Sequence, residues 1–314
     1  MSEVILVTGA TGKQGGAVIN ALLSQKAGTF TILAVTRDTS SPSAKRLASR
    51  SPSIKLVQGN LDDVPALFQE ALKVQSQPIW GVYSVQISIG KGVTLQSEVS
   101  QGKSLIDGAI NAGVKHFVYS SVERGGDKTS WNNPTPIPHF QSKYQIERYL
   151  RDITGAGKPG QSMGWTILRP VAFMDNLTPE FPTKVFLAAL HNYLGNKPLQ
   201  WVATADIGVF AAKAFTDPGS WDRKAVGLAG DELTFDQLTN SFQNATGHPV
   251  PLTYWIFGTA LTYMVSEMAL MLEWFASDGY RADIKARRKD HPDMLTMEKW
   301  LVKEGPFKTK ESFQ

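Results

Sequence analysis

Three glycines near the N-terminus, Gly9, Gly12 and Gly15, carry the clearest chemical signal in the chain. They follow the apolar run at residues 4–7 and precede a helix-like stretch at 17–23. A strand, a glycine turn and a helix in this order are typical of a dinucleotide-binding loop. Glycine lets the backbone approach a pyrophosphate, and the helix N-terminus presents N–H groups to it. The alternative is a glycine turn with a purely structural role.

The end of the second predicted strand indicates which dinucleotide is bound. Residues 31–35 are predicted as this strand, and Thr36 and Arg37 follow it. A carboxylate at this place holds the ribose 2′-hydroxyl of NAD, whereas a guanidinium favours the 2′-phosphate of NADP. The sequence therefore predicts NADP(H), with Lys13 in the glycine loop as a second cation. A solvated surface Arg37 is the alternative, and the neighbouring Asp38 keeps NAD(H) open.

Length and composition bound the class of protein. The chain has 314 residues, of which 42% are hydrophobic and 19% charged, and its net charge is +4. This length allows one large α/β domain with a smaller appended part. The absence of cysteine from the sequence excludes disulfides, thiolate catalysis and cysteine metal sites. The histidines lack ligand spacing, so no metal is expected.

Charge patterning and apolar runs bear on partners. The basic segment 285–289 is interpreted as a solvated helix face, with an acidic partner or nucleic acid as the alternative. Direct nucleic-acid binding is not expected, because the sequence has no helix-turn-helix, zinc motif or strong basic stripe. The most apolar stretch, 256–275, contains Ser266, Glu267 and Glu273 and is too polar to span a bilayer. It is predicted to be one buried amphipathic helix.

The expected location follows from the same features. No signal peptide precedes the first predicted strand. We therefore expect a cytoplasmic protein, with the nucleus as an alternative, and no membrane partner.

The amphipathic helix predicted in the 256–275 stretch has apolar residues at helical spacing, at Leu261, Val265, Met268, Leu272 and Phe275.

The first half of the chain alternates between strand-like and helix-like segments. The predicted strands are residues 4–8, 31–35, 54–57, 79–85, 115–120 and 165–168. Continuous apolar strands that alternate with helices predict a doubly wound parallel sheet covered on both faces, an α/β fold. One long loop, residues 123–138, is expected near the carboxyl ends of the strands, where such loops often cover a ligand.

The second half is less regular. Predicted helices lie at 183–193, 207–215 and 235–246, and predicted strands at 198–202 and 225–228. We therefore expect a dinucleotide-binding domain over residues 1–170 and a smaller, mixed, mostly helical subdomain over residues 171–314. The two parts are expected to pack as one unit, with the cleft for a small-molecule substrate between them.

Candidate catalytic residues follow the fifth predicted strand. Lys143 and His139 are four residues apart, so they share one face of a helix. Lys143 is predicted to contact the nicotinamide ribose. His139 is predicted to donate a proton, since imidazole titrates near neutral pH, or else to hydrogen-bond locally at the start of the helix. Ser120 and Ser121 end the strand, and Ser121 is a candidate for orienting a substrate carbonyl, with backbone capping as the alternative.

Other candidate cofactor contacts follow from their places at strand ends. Gln86 follows the fourth strand and is expected to border the adenosine ribose and the nicotinamide. Asn60 and Leu61 follow the third strand and are expected to flank the adenine. Pro170 and Phe173 follow the sixth strand and are expected near the nicotinamide ring, although Phe173 fits a core position equally well.

Taken together, these segments make the sequence similar to the NmrA-like family of atypical short-chain dehydrogenase-related proteins. The resemblance covers nearly the whole chain. It is carried by the segments GATGKQG, VTR, HFVYSSV, HFQSKYQIE, WTILRPVAFMDN, QWVATADIGVFAAKAF, LAGDELTF and GYRADIKARRKDHPDMLTMEKWL. His139 stands where short-chain dehydrogenases carry the tyrosine of their Tyr-x-x-x-Lys pair.

The resemblance implies a Rossmann domain with a smaller mixed subdomain. It implies that NADP(H) is bound by Gly9, Thr11, Gly12, Lys13, Gln14, Gly15, Arg37, Asn60, Leu61, Gln86 and Lys143. Some members resemble reductases of ketones, imines or activated double bonds, often in fungal secondary metabolism. Others resemble redox sensors that bind the dinucleotide and a protein partner without turnover. We expect a reductase, because Lys143 is retained, and keep the sensor as the alternative, with residues 123–138 as the segment that would shift.

Overall fold

The structure, a computed structural model, describes residues 2–25, 29–88, 90, 92–256, 258–259 and 265–309. It divides into two compact units. The first unit consists of Met1–Ser121, Gln141–Arg169 and Ile207–Val226, and the second of Val122–Phe140, Pro170–Asp206 and Gly227–Gln314. The chain thus passes between the units several times, because the segments after the fifth and sixth strands belong to the second unit.

The strand order positions the candidate site. The strands are β1 Glu3–Val7, β2 Phe30–Thr36, β3 Ile54–Gln58, β4 Ile79–Ser84, β5 His116–Ser120, β6 Gly164–Pro170, β7 Ala172–Phe173, β8 Leu199–Val202, β9 Lys224–Leu228 and β10 Asp231–Leu233. Seven of the described strands form one sheet in the order β3-β2-β1-β4-β5-β6-β9, and β1 to β6 pair in parallel. This is the doubly wound, Rossmann-like order, so the predicted fold class is confirmed.

Helices follow the strands as the alternating pattern predicted. They are α1 Lys13–Leu23, α2 Pro42–Ala48, α3 Val64–Val74, α4 Leu95–Asn111, α5 Pro138–Ile153, α6 Phe181–Leu194, α7 Thr204–Thr216, α8 Pro218–Trp221, α9 Phe235–Thr246, α10 Ser266–Ser277, α11 Ile284–Asp290 and α12 Met297–Lys303. In β1 of the large sheet, residues 4–7 are at most 1% exposed. Strands covered on both faces need apolar residues at successive positions, which explains their continuous apolar runs.

Three helices that begin after β2, β3 and β4 owe their starting points to capping side chains. Ser41, Asp63 and Thr94 each accept a hydrogen bond from the backbone N–H three residues further on. Such caps satisfy N–H groups that have no partner within the helix. Thr94 and Ser97 form a reciprocal capping box, which fixes the first turn of α4. The caps therefore set where each helix begins beyond the sheet edge.

The second unit contains a small mixed sheet and its own apolar core. Strand β8 pairs antiparallel with β10 and parallel with β7. Its core includes the fully buried rings of Trp201, Trp300 and Phe242. The predicted helices at 183–193 and 235–246 are confirmed as α6 and α9, and the predicted strand at 198–202 as β8.

One predicted helix is wrong in its extent. Helix α10 begins at Ser266, and Val265 before it has an extended backbone and is 43% exposed. A single continuous helix over 256–275 is therefore excluded, and Leu261 lies outside the described residues. Leu272 and Phe275 are buried as the helical spacing predicted.

Membrane-spanning helices and metal-binding clusters are both absent from the part of the chain that the structure describes. No helix there combines the length and apolar character needed to cross a membrane. No group of three or more histidine, aspartate and glutamate side chains there is placed to hold a metal ion. In the basic segment 285–289, Arg287 pairs with Asp290 and Arg288 donates to the carbonyl oxygen of Gly230. These two arginines thus have partners within the second unit.

His116 gives the first unit a pH-dependent stability. It lies buried at the start of β5, with Nε2 2.9 Å from the hydroxyl of Thr166. Burial lowers the pKa of its imidazole to about 4, although the Asp222 carboxylate acts in the opposite direction. An imidazole in the unfolded chain titrates near about 6.5. Between these values the unfolded chain binds a proton that the folded state does not, so stability is lost as pH falls.

We therefore expect the free energy of unfolding to fall more between about pH 7 and pH 4.5 in the wild type than in His116→Gln. The expected difference is about 2 kcal/mol, because glutamine keeps a polar group near Thr166 but does not titrate. Urea denaturation at both pH values measures it. An equal decline in the two proteins would show that His116 is not the responsible group.

Candidate functional site

The glycine loop has the geometry that its spacing predicted. Gly9 follows β1 in a left-handed conformation with a φ of 58°, which favours glycine. The N–H of Gly12 donates to the carbonyl oxygen of Gly9 at 2.9 Å, which closes the turn. Helix α1 begins at the next residue, Lys13. Gly12 has no side chain to cap the helix. Because α1 starts so soon after β1, its N-terminus and the positive end of its dipole lie near the carboxyl end of that strand.

Gly15 allows helix α1 to pack directly against this loop. A Cβ atom added at Gly15 would lie 2.2 Å from the carbonyl oxygen of Gly9. One added at Gly12 would lie 3.2 Å from the same oxygen, whereas one at Gly16 would be 3.7 Å from the carbonyl oxygen of Ala10, an ordinary contact. The close approach thus needs glycine at position 15 and not at position 16.

A cavity of about 610 Å³ lies in the first unit where β1, β2, β3 and β4 end. Ligands bind to doubly wound sheets at this edge, beside the point where the strand order reverses between β1 and β4. The predicted cofactor residues that line this cavity are Gly9, Thr11, Gly12, Arg37, Asn60 and Leu61. The structure therefore brings together residues that the sequence separates by up to about fifty positions.

The rim of the cavity beyond β2 and β3 is polar. Asp62 accepts hydrogen bonds from Asn60 Nδ2 at 2.8 Å and from Gln101 Nε2 at 2.7 Å. Both bonds lower the pKa of Asp62, and the bond from Gln101 has the larger effect. The positive charge of Arg37 lowers this pKa further. Gln101 lies on α4 and lines the cavity, but sequence reasoning missed it, because a single amide in a helix gives no motif.

Asp38, the residue that left NAD(H) open, is engaged locally. Its Oδ1 accepts hydrogen bonds from the backbone N–H of Ser40 at 2.8 Å and from the Ser40 hydroxyl at 2.6 Å. These bonds lower the pKa of Asp38. Arg37 and Asp38 are both exposed and both line the cavity. The carboxylate thus supports a turn, while the guanidinium is presented at the rim.

Gln14 connects the glycine-loop helix to two strands. Its Oε1 accepts hydrogen bonds from the Ser120 hydroxyl at 2.5 Å and from the Tyr83 hydroxyl at 3.3 Å. The Ser120 hydroxyl is therefore used in fixing α1 against β4 and β5. Ser121, the candidate for orienting a carbonyl, is buried and donates its backbone N–H to the carbonyl oxygen of Leu168. Its catalytic role stays a prediction.

Gln86 follows β4 and carries a buried acceptor. Its Nε2 donates to the Ser84 hydroxyl at 2.9 Å, but its Oε1 has no hydrogen-bond partner among the residues that the structure describes. Buried polar atoms in folded proteins are almost always paired, so such an atom indicates a place for a ligand donor. Gln86 is not among the described residues that line the cavity, so its role in binding the cofactor stays a prediction.

Lys143 is held by a carboxylate that sequence reasoning missed. Its Nζ donates to Glu98 Oε1 at 2.8 Å, and the two residues are 8% and 1% exposed. Glu98 also accepts hydrogen bonds from the hydroxyls of Ser142 at 2.5 Å and Ser88 at 3.0 Å. The only available signal was its helical spacing, because Glu98 falls on the buried face of α4 together with Gly102.

His139 forms a pair within the second unit. Its Nδ1 lies 2.6 Å from Glu267 Oε1, and its backbone N–H donates to the same oxygen at 3.2 Å. Glu267 belongs to the first turn of α10, and the sequence indicated it only as a break in an apolar stretch. Pro170 and Phe173 also belong to the second unit, so their predicted contacts with the nicotinamide stay predictions.

The segment 123–138 is held by two buried charged side chains. The guanidinium of Arg124 donates to the carbonyl oxygens of Val122, Ser130 and Asn133. The carboxylate of Glu123 accepts from the backbone N–H groups of Gly125, Gly126 and Arg281. Both side chains are fully buried, and burial raises the pKa of Glu123. These bonds oppose a shift of this segment on ligand binding, because opening it would leave buried charges without partners.

A protein-family model and a named relative both match most of this chain. The model of the NmrA-like family matches residues 1–301. The NmrA-like family domain-containing oxidoreductase hkm9 of Aspergillus hancockii is 29% identical over 274 residues, which cover 81% of this chain and 76% of the relative.

Two solved structures share the fold of this chain. The crystal structure of NmrA, a negative transcriptional regulator, in complex with NADP has a TM-score of 0.69 at 19% identity and covers 96% of this chain and 95% of that one. The Citrobacter sp. triphenylmethane reductase complexed with NADP(H) has a TM-score of 0.68 at 20% identity and covers 97% of this chain and 99% of that one.

The two neighbouring glycines of α1 offer a matched test of the loop geometry. We expect Gly15→Ala to lower the free energy of unfolding by about 2 kcal/mol or more, because its methyl group overlaps the Gly9 backbone. Gly16→Ala should leave stability unchanged or raise it by up to about 1 kcal/mol, because alanine favours helix and meets only an ordinary contact. Chemical denaturation of both variants measures this, and equal effects would contradict the close approach at Gly15.

Proposed function

The chain belongs to the NmrA-like family, and on this premise we propose that it binds NADP(H) in the cavity of the first unit. The observation that carries the proposal is the continuity of this cavity. It extends from Gly12 at the start of α1 to Arg37 after β2 and Asn60 after β3. A dinucleotide needs these three places for its pyrophosphate, its substituted ribose and its adenine.

The residues present fit such a cofactor. The N-terminus of α1 suits a pyrophosphate, since it combines backbone donors with the positive end of the helix dipole. Gln86 Oε1, buried without a partner among the described residues, is an acceptor for a ligand N–H or O–H group. Lys13, Gln14 and Gly15 form the first turn of α1, next to this proposed pyrophosphate site. Lys143 supplies a buried ammonium group for a ribose hydroxyl.

The phosphorylated dinucleotide is favoured over NAD(H). Arg37 is exposed at the rim of the cavity, and a guanidinium binds a phosphate with two parallel charge-assisted hydrogen bonds. Asp38 Oδ1 already accepts two hydrogen bonds from Ser40, which leaves this oxygen less available to a ribose hydroxyl. This assignment makes Arg37 the residue that distinguishes the two cofactors.

Calorimetric titration with NADPH, NADP⁺, NADH and NAD⁺ tests this assignment. We expect the wild type to prefer the phosphorylated forms, and Arg37→Ala to bind NADPH about tenfold or more weakly with little change for NADH. Arg46→Ala is the matched control, because Arg46 is an exposed arginine of α2 that does not line the cavity. Equal binding of NADPH and NADH, unchanged in Arg37→Ala, would contradict the NADP(H) assignment.

The proposed activity is NADPH-dependent reduction of a small ketone, imine or activated double bond. Bound NADPH supplies the hydride. Lys143 contributes a fixed positive charge, held in place by Glu98. His139 is the proposed proton donor, and because its Nδ1 is bonded to Glu267, donation would proceed from Nε2. Support comes from the relative from Aspergillus hancockii, which is named an oxidoreductase.

The second candidate is a dinucleotide sensor that binds a protein partner without turnover. It is favoured by the replacement of the dehydrogenase tyrosine by His139 and by the similar fold of NmrA, a negative transcriptional regulator. A sensor requires two conformations with different affinities for the cofactor. The buried bonds of Glu123 and Arg124 oppose such a change in the segment 123–138, so the reductase is the better supported of the two.

Loss of NADPH absorbance with a panel of ketones, imines and enones distinguishes the two candidates. We expect turnover with at least one of these classes, and a lower kcat in Lys143→Met. His139→Gln should lower kcat and flatten its dependence on pH, because the imidazolium that donates the proton in the wild type is lost as pH rises. Tight binding of NADPH without turnover of any compound would favour the sensor. Partner capture that depends on NADPH would then be its next test.

A further inference from the structure

We propose that Glu98 is a positioning residue, which fixes the ammonium group of Lys143 and thereby sets the affinity for NADP(H). The inference rests on the proposed binding of NADP(H) in the first unit. It starts from the ion pair between Lys143 Nζ and Glu98 Oε1, 2.8 Å apart, whose partners lie in α5 and α4. Both side chains are buried, so each charge depends on the other for compensation.

Glu98 is itself held tightly from several directions. Its Oε1 accepts from Lys143 and from the Ser88 hydroxyl, and its Oε2 accepts from the Ser142 hydroxyl. These donors come from helix α5 and from the segment that follows β4. The backbone of Glu98 lies in the first turn of α4, where the capping box of Thr94 fixes the helix start. The carboxylate therefore has one defined position.

The fixed position of the Glu98 carboxylate matters because a lysine side chain is flexible and its ammonium group has no fixed place of its own. The ammonium group sits on a flexible four-carbon stem and has three donors with no preferred plane. One donor is bonded to Glu98, so the carboxylate decides where the other two point. Two members of the network are next in the chain to residues of the cavity wall, because Ser88 follows Ile87 and Glu98 follows Ser97. Glu98 thus holds the charge of Lys143 from a position next in the chain to the wall of the proposed cofactor site.

The sign of the effect separates positioning from simple electrostatics. NADP(H) carries several negative charges, so a nearby carboxylate repels it, and removal of that carboxylate alone should tighten binding. Positioning has the opposite consequence, because an ammonium group without its carboxylate loses its fixed place. Glu98→Gln is therefore expected to weaken NADPH binding even though it removes a negative charge.

The experiment is a double-mutant cycle on the full chain, with NADPH as the ligand and its dissociation constant measured by calorimetry. We expect Glu98→Gln to weaken binding about tenfold or more, the scale of a hydrogen bond to a charged group. Lys143→Met should weaken it at least as much. The variant with both substitutions should bind no more weakly than Lys143→Met alone, because Glu98 acts through Lys143.

Controls separate positioning from folding and from overall charge. Glu70→Gln removes a carboxylate from the exposed pair with Lys73 in α3 and should leave NADPH binding unchanged. Thermal unfolding establishes that each variant folds. If Glu98→Gln does not fold, Glu98→Asp keeps the charge but draws the carboxylate back by one methylene. It should then weaken NADPH binding, because the ammonium group is displaced.

Three outcomes would overturn the proposal. These are wild-type or tighter NADPH binding by Glu98→Gln, additive losses in the double variant, and wild-type binding by Glu98→Asp where that variant replaces Glu98→Gln. Failure of the underlying function looks different. Wild-type binding by Lys143→Met would remove Lys143 from the cofactor site, and an undetectable affinity of the wild type for NADPH would remove the site itself.

Discussion

The close approach of helix α1 to the glycine turn is the constraint on which the site depends. The position that a Cβ would take at Gly15 lies 2.2 Å from the backbone of Gly9, so the helix can start at the carboxyl end of β1 only if residue 15 has no side chain. This start places backbone donors at one end of the cavity. The bonds from Ser120 and Tyr83 to Gln14 hold the same helix against the sheet.

A buried polar network sits beside this apolar sheet. Burying an ion pair costs desolvation free energy that the pairing offsets only when further hydrogen bonds satisfy the remaining donors and acceptors. Glu98 meets this condition, with Lys143, Ser142 and Ser88 all bonded to its two oxygens. A well-packed apolar group could fill the same space without that cost. Ser88 and Glu98 are next in the chain to Ile87 and Ser97, which line the cavity, and this position agrees with a role in ligand binding.

Buried charges also restrict the segment that a sensor would need to move. Arg124 is committed to three carbonyl oxygens and Glu123 to three backbone N–H groups, so both are satisfied within the second unit. A conformational switch requires two states of similar free energy. Separating these charges from their partners would make the second state costly. These bonds therefore favour the reductase over a sensor that would shift this segment.

The sequence by itself determined the doubly wound fold, the glycine loop and the place of Arg37, Asn60 and Leu61. These depend on local periodicity and on the rule that loops at the carboxyl ends of parallel strands meet. Only the tertiary structure decided the partners of the candidate catalytic residues. Glu98 and Lys143 are 45 positions apart, and His139 and Glu267 are 128 apart. Such pairs depend on how helices pack, which hydrophobic periodicity does not encode.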